Sequence, residues 1–286
     1  MNELDVLRLK FSAPTAHFRI IHSNNPRRTY QVPPYSAIIG LIANILGEQA
    51  TIEKLLETPF YLGVAAKHEF TSHDYTWMRN MDKSAHQNRF ASVQNRSWQE
   101  NIEHPGGQSP VIFEVLNNFE LGIYLMHSDK TITERLINNA FQSDRWISHL
   151  HLGRSEDWAM IEEVKEMVLG VAKTSSEIKN AADFYQWMPH KDYCFYDSGK
   201  PAGEQEYEQI YNKTQGTVAL VTTIYRTIEA PGTDNRTVQI RNFEHLPAKI
   251  VKSQVPLLDS FKLPTVFADS DLRTPIYLAK IAGKGR

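Results

Sequence analysis

Cysteine is almost absent from this chain of 286 residues, because Cys194 stands alone. A single cysteine cannot form an internal disulfide, and it excludes a zinc site built from several cysteines. We therefore expect Cys194 to be a small buried apolar residue.

Long apolar runs are also missing. The most apolar stretch, residues 35–47, is 13 residues long, whereas a membrane helix needs about 20. The N-terminus, MNELDVLRLKF, has early acidic residues and no positively charged stretch leading into an apolar run, so we expect no signal peptide. These features predict a soluble, cytoplasmic protein with no membrane partner.

A strong charge of one sign is lacking as well. The chain has 31 Lys and Arg against 33 Asp and Glu, a net charge of −2, unlike a strongly basic nucleic-acid binder. Residues 153–210 hold 6 basic and 12 acidic groups, a net of −6, which leaves 25 and 21 elsewhere, a net of +4. Such asymmetry favours a local basic face, although uneven scatter over a solvated surface explains it equally well.

The common catalytic signatures do not occur. The sequence has no P-loop, no G-x-G-x-x-G, no G-x-S-x-G and no H-E-x-x-H. The acidic run at residues 204–208 is most simply a solvated loop. Composition and motifs therefore give no support to enzymatic chemistry of these kinds.

The start of the chain predicts a strand followed by a helix. Residues 6–11 alternate, which predicts a strand with one buried face and one exposed face that carries Arg8 and Lys10. Apolar residues at i, i+3, i+4 and i+7 between residues 38 and 46 predict a helix. Ser36 is its expected N-cap and Gly47 its expected C-terminal cap.

Further elements complete a ferredoxin-like order. Residues 60–67 predict a strand, and two apolar runs around Asn117-Asn118 predict a tight hairpin. A capping box formed by Thr131 and Glu134 marks a second helix, and residues 146–152 predict a last strand. The order β-α-β-β-α-β is that of the ferredoxin-like and RNA-recognition-motif folds.

The second half predicts a smaller β-rich unit. Residues 156–169 fit an acidic helix, residues 171–215 look rich in loops, and the rest contains several short strands. We expect an α+β protein with a ferredoxin-like domain over residues 1–157 and a β-rich C-terminal domain over residues 158–286.

Residues 68–110 interrupt the periodic pattern with a mixture of cationic and aromatic side chains. Cations attract phosphates and ring faces stack on bases, which suits single-stranded nucleic acid; an ordinary surface loop anchored by its aromatic residues is the alternative. The residues concerned are Arg79, Lys83, Arg89 and Arg96 with Tyr75, Trp77, Phe90 and Trp98.

A second cationic group precedes the first predicted helix. With Arg8 and Lys10 it would line the exposed sheet face on which RNA-recognition folds bind, and the helix start near Ser36 would add backbone donors for a phosphate. A solvated basic loop is the competing explanation. The group consists of Arg19, His22, Arg27, Arg28 and Tyr30.

The segment HLHLGRSEDWA contains a third candidate. His149 and His151 share a predicted strand face, but a metal needs a third ligand, so packing or RNA contact is favoured over a metal site. Gly153 after a strand suits a close approach to a ligand, with Arg154 as a fork for phosphate. An ordinary turn at a strand end is the alternative.

Several motifs in this order resemble the CRISPR-associated protein 5 family, most closely its type I-B form. They are FSAPTAHFR, TYQVPPYSAIIGLIANILG, PVIFEVLNNFELGIYL and HLGRSEDWA, and VFADSDLRTPIYLA is a weaker match. The resemblance implies a subunit of the RNA-guided complex Cascade, with a ferredoxin-like body, an inserted β-thumb assigned to residues 68–110, and a smaller C-terminal β-region.

The resemblance also implies partners and contacts. The subunit would grip the repeat-derived 5′ handle of the CRISPR RNA, contact the backbone and large subunits, and meet target DNA only through the complex. No cofactor or metal is implied. Arg27, Arg28, Tyr30 and Ser36 match the motif before the helix, and Gly153 and Arg154 match the motif after the strand. The resemblance implies that these positions contact or support the handle.

One branch of the family cuts precursor RNA without a metal, which leaves a nuclease as the alternative. Such cleavage needs a base, a cation and an acid. His22, Tyr30, Lys67 and His68 are the candidates. The overall resemblance is to the branch that relies on a separate nuclease, so we expect a non-catalytic protein.

Overall fold

The computed structural model describes residues 3–80, 97–98, 101–102, 107–171, 183–195, 202–231, 237–252 and 266–283. In chain order the strands are β1 (Glu3–Ala16), β2 (Phe60–Lys67), β3 (Phe70–Asn80), β4 (Ser97–Trp98), β5 (Asn101–Ile102), β6 (Gly107–Met126), β7 (Met160–Val171), β8 (Tyr185–Pro189), β9 (Thr217–Pro231), β10 (Thr237–Lys252), β11 (Phe267–Asp269), β12 (Thr274–Ile276) and β13 (Ala279–Ile281). The helices are α1 (Tyr35–Leu46), α2 (Gln49–Glu57), α3 (Lys130–Asn139) and α4 (Ala202–Lys213).

One large antiparallel sheet organises these elements into a mixed α/β fold with few helices. Among the described residues it has eleven strands, in the order β12-β11-β7-β1-β6-β2-β8-β10-β9, with β3 added to β6 and β13 to β2. Strands β4 and β5 form a separate pair. Strand β7 pairs with β1 from Ser12 to Glu3, so hydrogen bonds cross the boundary expected at residue 157. The division into two domains stays a prediction.

Helix α1 covers one face of the sheet, as its sequence predicts. Ile38, Ile42 and Ile45 are buried in one apolar core cluster with Leu9 and Phe11 of β1. Its apolar stripe has the 3.6-residue period that places side chains on one face of a helix, and burial of that stripe stabilises it. Gly47 ends the helix with φ +77° and its N–H donates to Ala43, which confirms the expected C-terminal cap.

The helix starts differ from the sequence expectation. Pro34 occupies the N-cap position of α1, and Ser36 lies in the first turn, where its hydroxyl is 2.6 Å from that of Thr222. In α3 the cap is Asp129, whose carboxylate accepts the N–H of Thr131. The caps expected at Ser36 and Thr131 were therefore each wrong by two residues, because Pro34 fixes the entry of α1 and the Asp129 carboxylate caps α3.

Three secondary-structure predictions were wrong. Strand β6 continues through Asn117-Asn118 instead of turning back; Asn118 has φ +50°, so the conformation expected of a turn residue bends a single strand. Residues 146–152 form no strand; the N–H of Ile147 donates to the Asn44 carbonyl, and the N–H of Ser148 to the Asn44 side chain. Residues 160–171 are strand β7, not a helix, because they pair with β1.

The prediction that residues 171–215 are rich in loops was wrong in part. It contains strand β8, and the acidic run at residues 204–208 lies in helix α4, where Tyr207 is buried and donates to the Pro189 carbonyl. Cys194 is buried beside this helix, and burial raises the pKa of its thiol to about 12.

The helices of the described segments are all too short or too polar to cross a membrane.

Residues 266–283, which we call the C-terminal strap, cover the second face of the sheet. Phe267, Ile276 and Leu278 of the strap are buried with Val6 of β1 and Tyr124 of β6. This is the face that alternation predicts to be exposed and cationic. The expectation of an open sheet face at Arg8 was therefore wrong, because the last described residues of the chain lie over it.

Candidate nucleic-acid interface

Arg8 is a buried structural cation. Its side chain is 1% exposed, and its guanidinium bonds Asp269 at 2.6 Å, Glu163 at 2.7 Å and Asp271 at 2.9 Å. Burial lowers the pKa of Arg8, but the bonds to Asp269 and Glu163 outweigh it and leave the pKa above its ordinary value. Lys10 lies at the edge of this group, 3.6 Å from Glu163. Neither cation forms an open surface for phosphate.

The residues before α1 form an arm, residues 18–30, that folds back on itself. The N–H of Tyr30 donates to the Phe18 carbonyl, and the N–H of Ile20 donates to the Arg28 carbonyl. The buried hydroxyl of Thr29 accepts the N–H of Phe18 at 2.8 Å. We call this hairpin-like segment the pre-helix arm.

The pre-helix arm is attached to strand β6. The N–H of Arg27 donates to the Ile112 carbonyl at 2.7 Å, and the N–H of Glu114 donates back to the Arg27 carbonyl at 2.9 Å. Tyr30 packs edge-on against Trp187, whose indole N–H is held by the Pro33 carbonyl. Tyr30 is thus a support of the arm, and the arm is fixed at both ends.

The arginines of the arm carry unpaired charge. Arg19 and Arg28 are exposed, and the Arg27 guanidinium lies 5.2 Å from the centre of the Phe113 ring. Within the described part of the chain, no carboxylate forms an ion pair with any of the three. Burial and the nearby Arg19 lower the pKa of Arg27, but an arginine stays protonated at neutral pH. His22 of the same arm is exposed.

Two aromatic side chains stand on the outer part of β3. Tyr75 and Trp77 are 59% and 55% exposed, and their rings lie 6.3 Å apart, edge to face. Strand β3 pairs with β6 from Phe70–Asn117 to Asn80–Gly107, so both rings belong to the ribbon that begins the predicted thumb. Exposed rings at alternate positions of a strand are suited to stacking on bases.

The other expected thumb contacts lie beyond what the structure describes. Lys83, Arg89, Phe90 and Arg96 fall outside the described residues. The backbones of Arg79 and Trp98 lie in β3 and β4, but their side chains are likewise outside the description.

Arg154 is held by carboxylates and not free as a phosphate fork. Its Nε and Nη2 donate to the two oxygens of Asp157 at 2.9 and 2.8 Å, and its Nη1 donates to Asp74 at 2.7 Å. The guanidinium also lies 5.3 Å from the centre of the Phe113 ring. The bonds to Asp157 are the main cause of its raised pKa.

Gly153 makes this loop possible. Its φ of +100° is a conformation that favours glycine, and a Cβ there would overlap the carbonyl oxygen of His17. The close approach that the sequence predicts at Gly153 is therefore real, but it is to the protein's own backbone.

The two histidines of this segment contact each other and a tryptophan. The His149 ring lies 5.5 Å from that of His151 and 5.9 Å from that of Trp158. Across the described residues, no group of three His, Cys, Asp or Glu side chains could hold a metal ion.

The nuclease candidates form two separate groups. Among the described residues, no hydrogen bond, ion pair or ring contact joins His22 or Tyr30 to Lys67 or His68. Lys67 lies 3.8 Å from Glu120. The His68 ring stacks on the Tyr185 ring, with 5.4 Å between their centres. The Lys252 ammonium lies 5.2 Å from the centre of the same Tyr185 ring and forms an ion pair with Asp183 at 2.9 Å. Burial and Lys252 lower the pKa of His68, against an opposing effect of Asp183.

Sequence reasoning missed the residues that organise the interface. Phe113 looks like an ordinary strand residue, yet His17, Arg27 and Arg154 all contact its ring. Asp157 is fully buried and also accepts the Thr15 hydroxyl at 2.6 Å. The only sequence signal for Asp157 is its place in the L-G-R-S-E-D motif.

Comparison with known proteins gives one strong similarity. A family model described as CRISPR-associated protein (Cas_Cas5) matches residues 6–231, which is well over half of the chain. No curated protein matches in sequence.

Solved structures are similar only at a low level. A chain of a "CRISPR RNA-guided surveillance complex" has 12% identity and a TM-score of 0.47, covering 88% of this chain and 91% of that one. A CRISPR protein from Archaeoglobus fulgidus has 12% identity and a TM-score of 0.37, covering 98% and 93%. A chain of the Type III-B Cmr-beta complex has 12% identity and a TM-score of 0.35, covering 87% and 86%. The family relationship rests on the sequence match to the family model.

Proposed function

The chain belongs to the Cas5 family of CRISPR-associated proteins, and from this premise we propose that it is a non-catalytic, RNA-binding subunit of a CRISPR effector complex. The observation that carries the proposal is the pre-helix arm, on which Arg19, Arg27 and Arg28 have no carboxylate partner among the described residues. An arginine fork suits phosphate oxygens, and phosphate contacts provide most of the affinity for nucleic acid.

The exposed aromatic pair supports RNA as the ligand. Asp74, directly before Tyr75, pairs with Phe113 across β3 and β6, and Phe113 contacts Arg27. Cations and stacking rings are therefore mounted on the same pair of strands. Single-stranded nucleic acid is recognised by this combination of a cationic track and ring faces.

More specific features belong to the same proposal. We expect the RNA to be the repeat-derived 5′ handle, and the complex to be a Cascade of type I-B. The backbone and large subunits would then be the protein partners, target DNA would be contacted through the complex, and the location would be cytoplasmic. No metal or cofactor is needed for this role.

The proposal also keeps the ferredoxin-like, RNA-recognition-motif description of the body. Its support is the neighbour order β7-β1-β6-β2, in which β6 lies antiparallel between β1 and β2, as in a split βαβ unit. The β-thumb at residues 68–110 and the β-rich C-terminal domain complete this description. RNA would lie on the pre-helix arm and β3, since the strap covers the sheet face.

The test compares two double variants that each remove two cations. Arg27→Ala with Arg28→Ala should weaken binding of a labelled repeat RNA and reduce the slope of log K against log salt by about 1.4, or 0.7 for each lost phosphate contact. Lys54→Ala with Lys130→Ala, on α2 and α3, is the matched control and should leave both unchanged. Equal effects of the two double variants would contradict the proposed site.

RNA cleavage is the second candidate, favoured by the cluster around His68. A histidine with a lowered pKa, a lysine and a tyrosine supply a base, a cation and an acid in principle. This candidate predicts that the purified protein cuts its repeat RNA in EDTA and that both His68→Ala and Lys252→Ala stop the cutting. Intact RNA after prolonged incubation, with binding retained, supports the non-catalytic role.

A further inference from the structure

Arg154 connects three parts of the molecule that are far apart in sequence. Its partner Asp157 belongs to the same loop, Asp74 belongs to β3, and Phe113 belongs to β6. Its side chain is only 11% exposed. A guanidinium with its donors shared between two carboxylates, and one face on a ring, has little capacity left for a phosphate.

The loop that carries Arg154 is fixed to the body. Asp157 accepts the Thr15 hydroxyl, and the N–H of Leu152 donates to the Asp157 carbonyl at 2.8 Å. The N–H of His17 donates to the Leu152 carbonyl at 3.2 Å. These bonds hold the loop against the end of β1, so the position of Arg154 is set by the body of the protein.

Asp74 lies on the other side of the contact. It faces Phe113 in the register of β3 and β6 and directly precedes Tyr75. Its carboxylate is half exposed, and its bond to Arg154 joins the outer ribbon to the fixed loop. The guanidinium of Arg27, in the pre-helix arm, lies over the same Phe113 ring.

We propose that Arg154 and Asp74 form a latch that fixes the β3–β6 ribbon against the body and so orients the Tyr75–Trp77 pair for stacking on bases. Arg154 is then a positioning residue for RNA binding and not a phosphate ligand. This inference rests on the proposed RNA-binding function for its consequence, but the latch itself is a property of the free protein.

The latch and a phosphate-binding Arg154 predict opposite signs for Asp74→Asn. If Arg154 bound phosphate, removing a competing carboxylate would free a cation and remove a repelling charge, and binding of labelled repeat RNA would tighten. If the latch positions the ribbon, the same variant should weaken binding by about 5- to 10-fold, the lower part of the range expected when one base loses its stacking partner.

Three further variants test this result. Glu156→Gln removes a carboxylate 3.5 Å from the same guanidinium without a bond to β3, so it controls for local charge and should not weaken binding. Asp74→Glu keeps the carboxylate and should retain most of the affinity. Trp77→Ala should cost less affinity in the Asp74→Asn background than in the wild type, because the stacking is already misaligned; additive losses would contradict positioning.

A measurement without RNA separates the two proposals. Amide hydrogen exchange over residues 70–77 of the full-length free protein should be faster in Asp74→Asn than in the wild type or Glu156→Gln. Unchanged exchange, or tighter RNA binding by Asp74→Asn, overturns the latch. Failure of the wild type to bind RNA would count against the proposed function, while the exchange experiment would still decide the latch.

Discussion

Arg8 and Asp269, which are 261 residues apart in the chain, form a buried ion pair at 2.6 Å. The same oxygen of Asp269 accepts the Tyr124 hydroxyl at 2.7 Å, and its other oxygen accepts the N–H groups of Asp271 and Leu272. Both charges are therefore fully satisfied inside the protein. This pair connects the first strand to the C-terminal strap.

The Arg8–Asp269 pair predicts a large loss of stability for Asp269→Ala. Removing one partner of a buried pair leaves the other charge without compensation, which typically costs about 3–5 kcal/mol. Glu163 and Asp271 still contact Arg8, so we expect about 3 kcal/mol. Urea unfolding of the full-length protein measures it.

Asp271→Ala is the matched control. It removes a carboxylate from the same guanidinium, but this one is half exposed, and such pairs contribute about 0–1 kcal/mol. Similar losses of unfolding free energy in both variants would mean that the buried pair with Asp269 stabilises the protein no more than the half-exposed pair with Asp271.

Secondary structure was predictable where local pattern and tertiary packing agree. Helix α1 was found because its apolar period matches the face that it buries, and strand β2 because a short apolar run fits a strand buried on both faces. Residues 160–171 were misread because a stripe at helical spacing competes with pairing along β1. In the structure Trp158 and Val168 of that stripe are exposed. A sequence does not state which strand will be available as a partner.

The same reason limits prediction of the site. The unpaired charge of Arg27 and Arg28 was predictable, because these cations have no nearby acidic residues in the sequence and no carboxylate partners in the described structure. Arg8 looks equally suitable in the sequence, because its partner Asp269 lies 261 residues away and only the fold shows it. Arg154 has Asp157 three residues away, but its second partner, Asp74, is 80 residues away and is likewise shown only by the fold.

Gly153→Ala should destabilise the protein. Its backbone conformation costs a non-glycine residue about 1–3 kcal/mol, and the added methyl would overlap the His17 carbonyl. Gly40→Ala makes the same substitution inside α1, where a Cβ meets no atom within 4 Å, and should stabilise by up to about 1 kcal/mol. Thermal unfolding of the two variants should shift in opposite directions; a shared direction would contradict this account.

His17 should make stability depend on pH. Its Nδ1 donates to the Glu114 carbonyl at 2.8 Å, while its Nε2 is buried and has no hydrogen-bond partner among the described residues. Burial lowers its pKa, the Glu114 bond opposes this, and the Arg154 charge lowers it further. Because the folded pKa lies below the unfolded value of about 6.5, the unfolded state binds the proton first. Stability should therefore fall as the pH drops below about 6.5.

The pH effect can be assigned with two histidine variants. His17→Asn keeps a donor near the position of Nδ1 and removes the titration, so its urea midpoint should change less between pH 7.5 and 5.5 than that of the wild type. His22→Asn, in the exposed arm, should keep the wild-type dependence. An identical pH dependence of all three proteins would show that His17 is not responsible.

Trp77 should contribute to RNA binding by stacking. Its ring is more than half exposed on β3, and no described apolar cluster buries it, so Trp77→Ala should change unfolding free energy little. Loss of one base–ring stack costs about 1–3 kcal/mol of binding free energy. Phe141→Ala removes a similarly exposed ring beyond the end of α3 and serves as the control. Weaker binding of repeat RNA by Trp77→Ala alone is expected; an equal effect of both variants would mean that loss of exposed apolar surface, and not stacking at β3, weakens the complex.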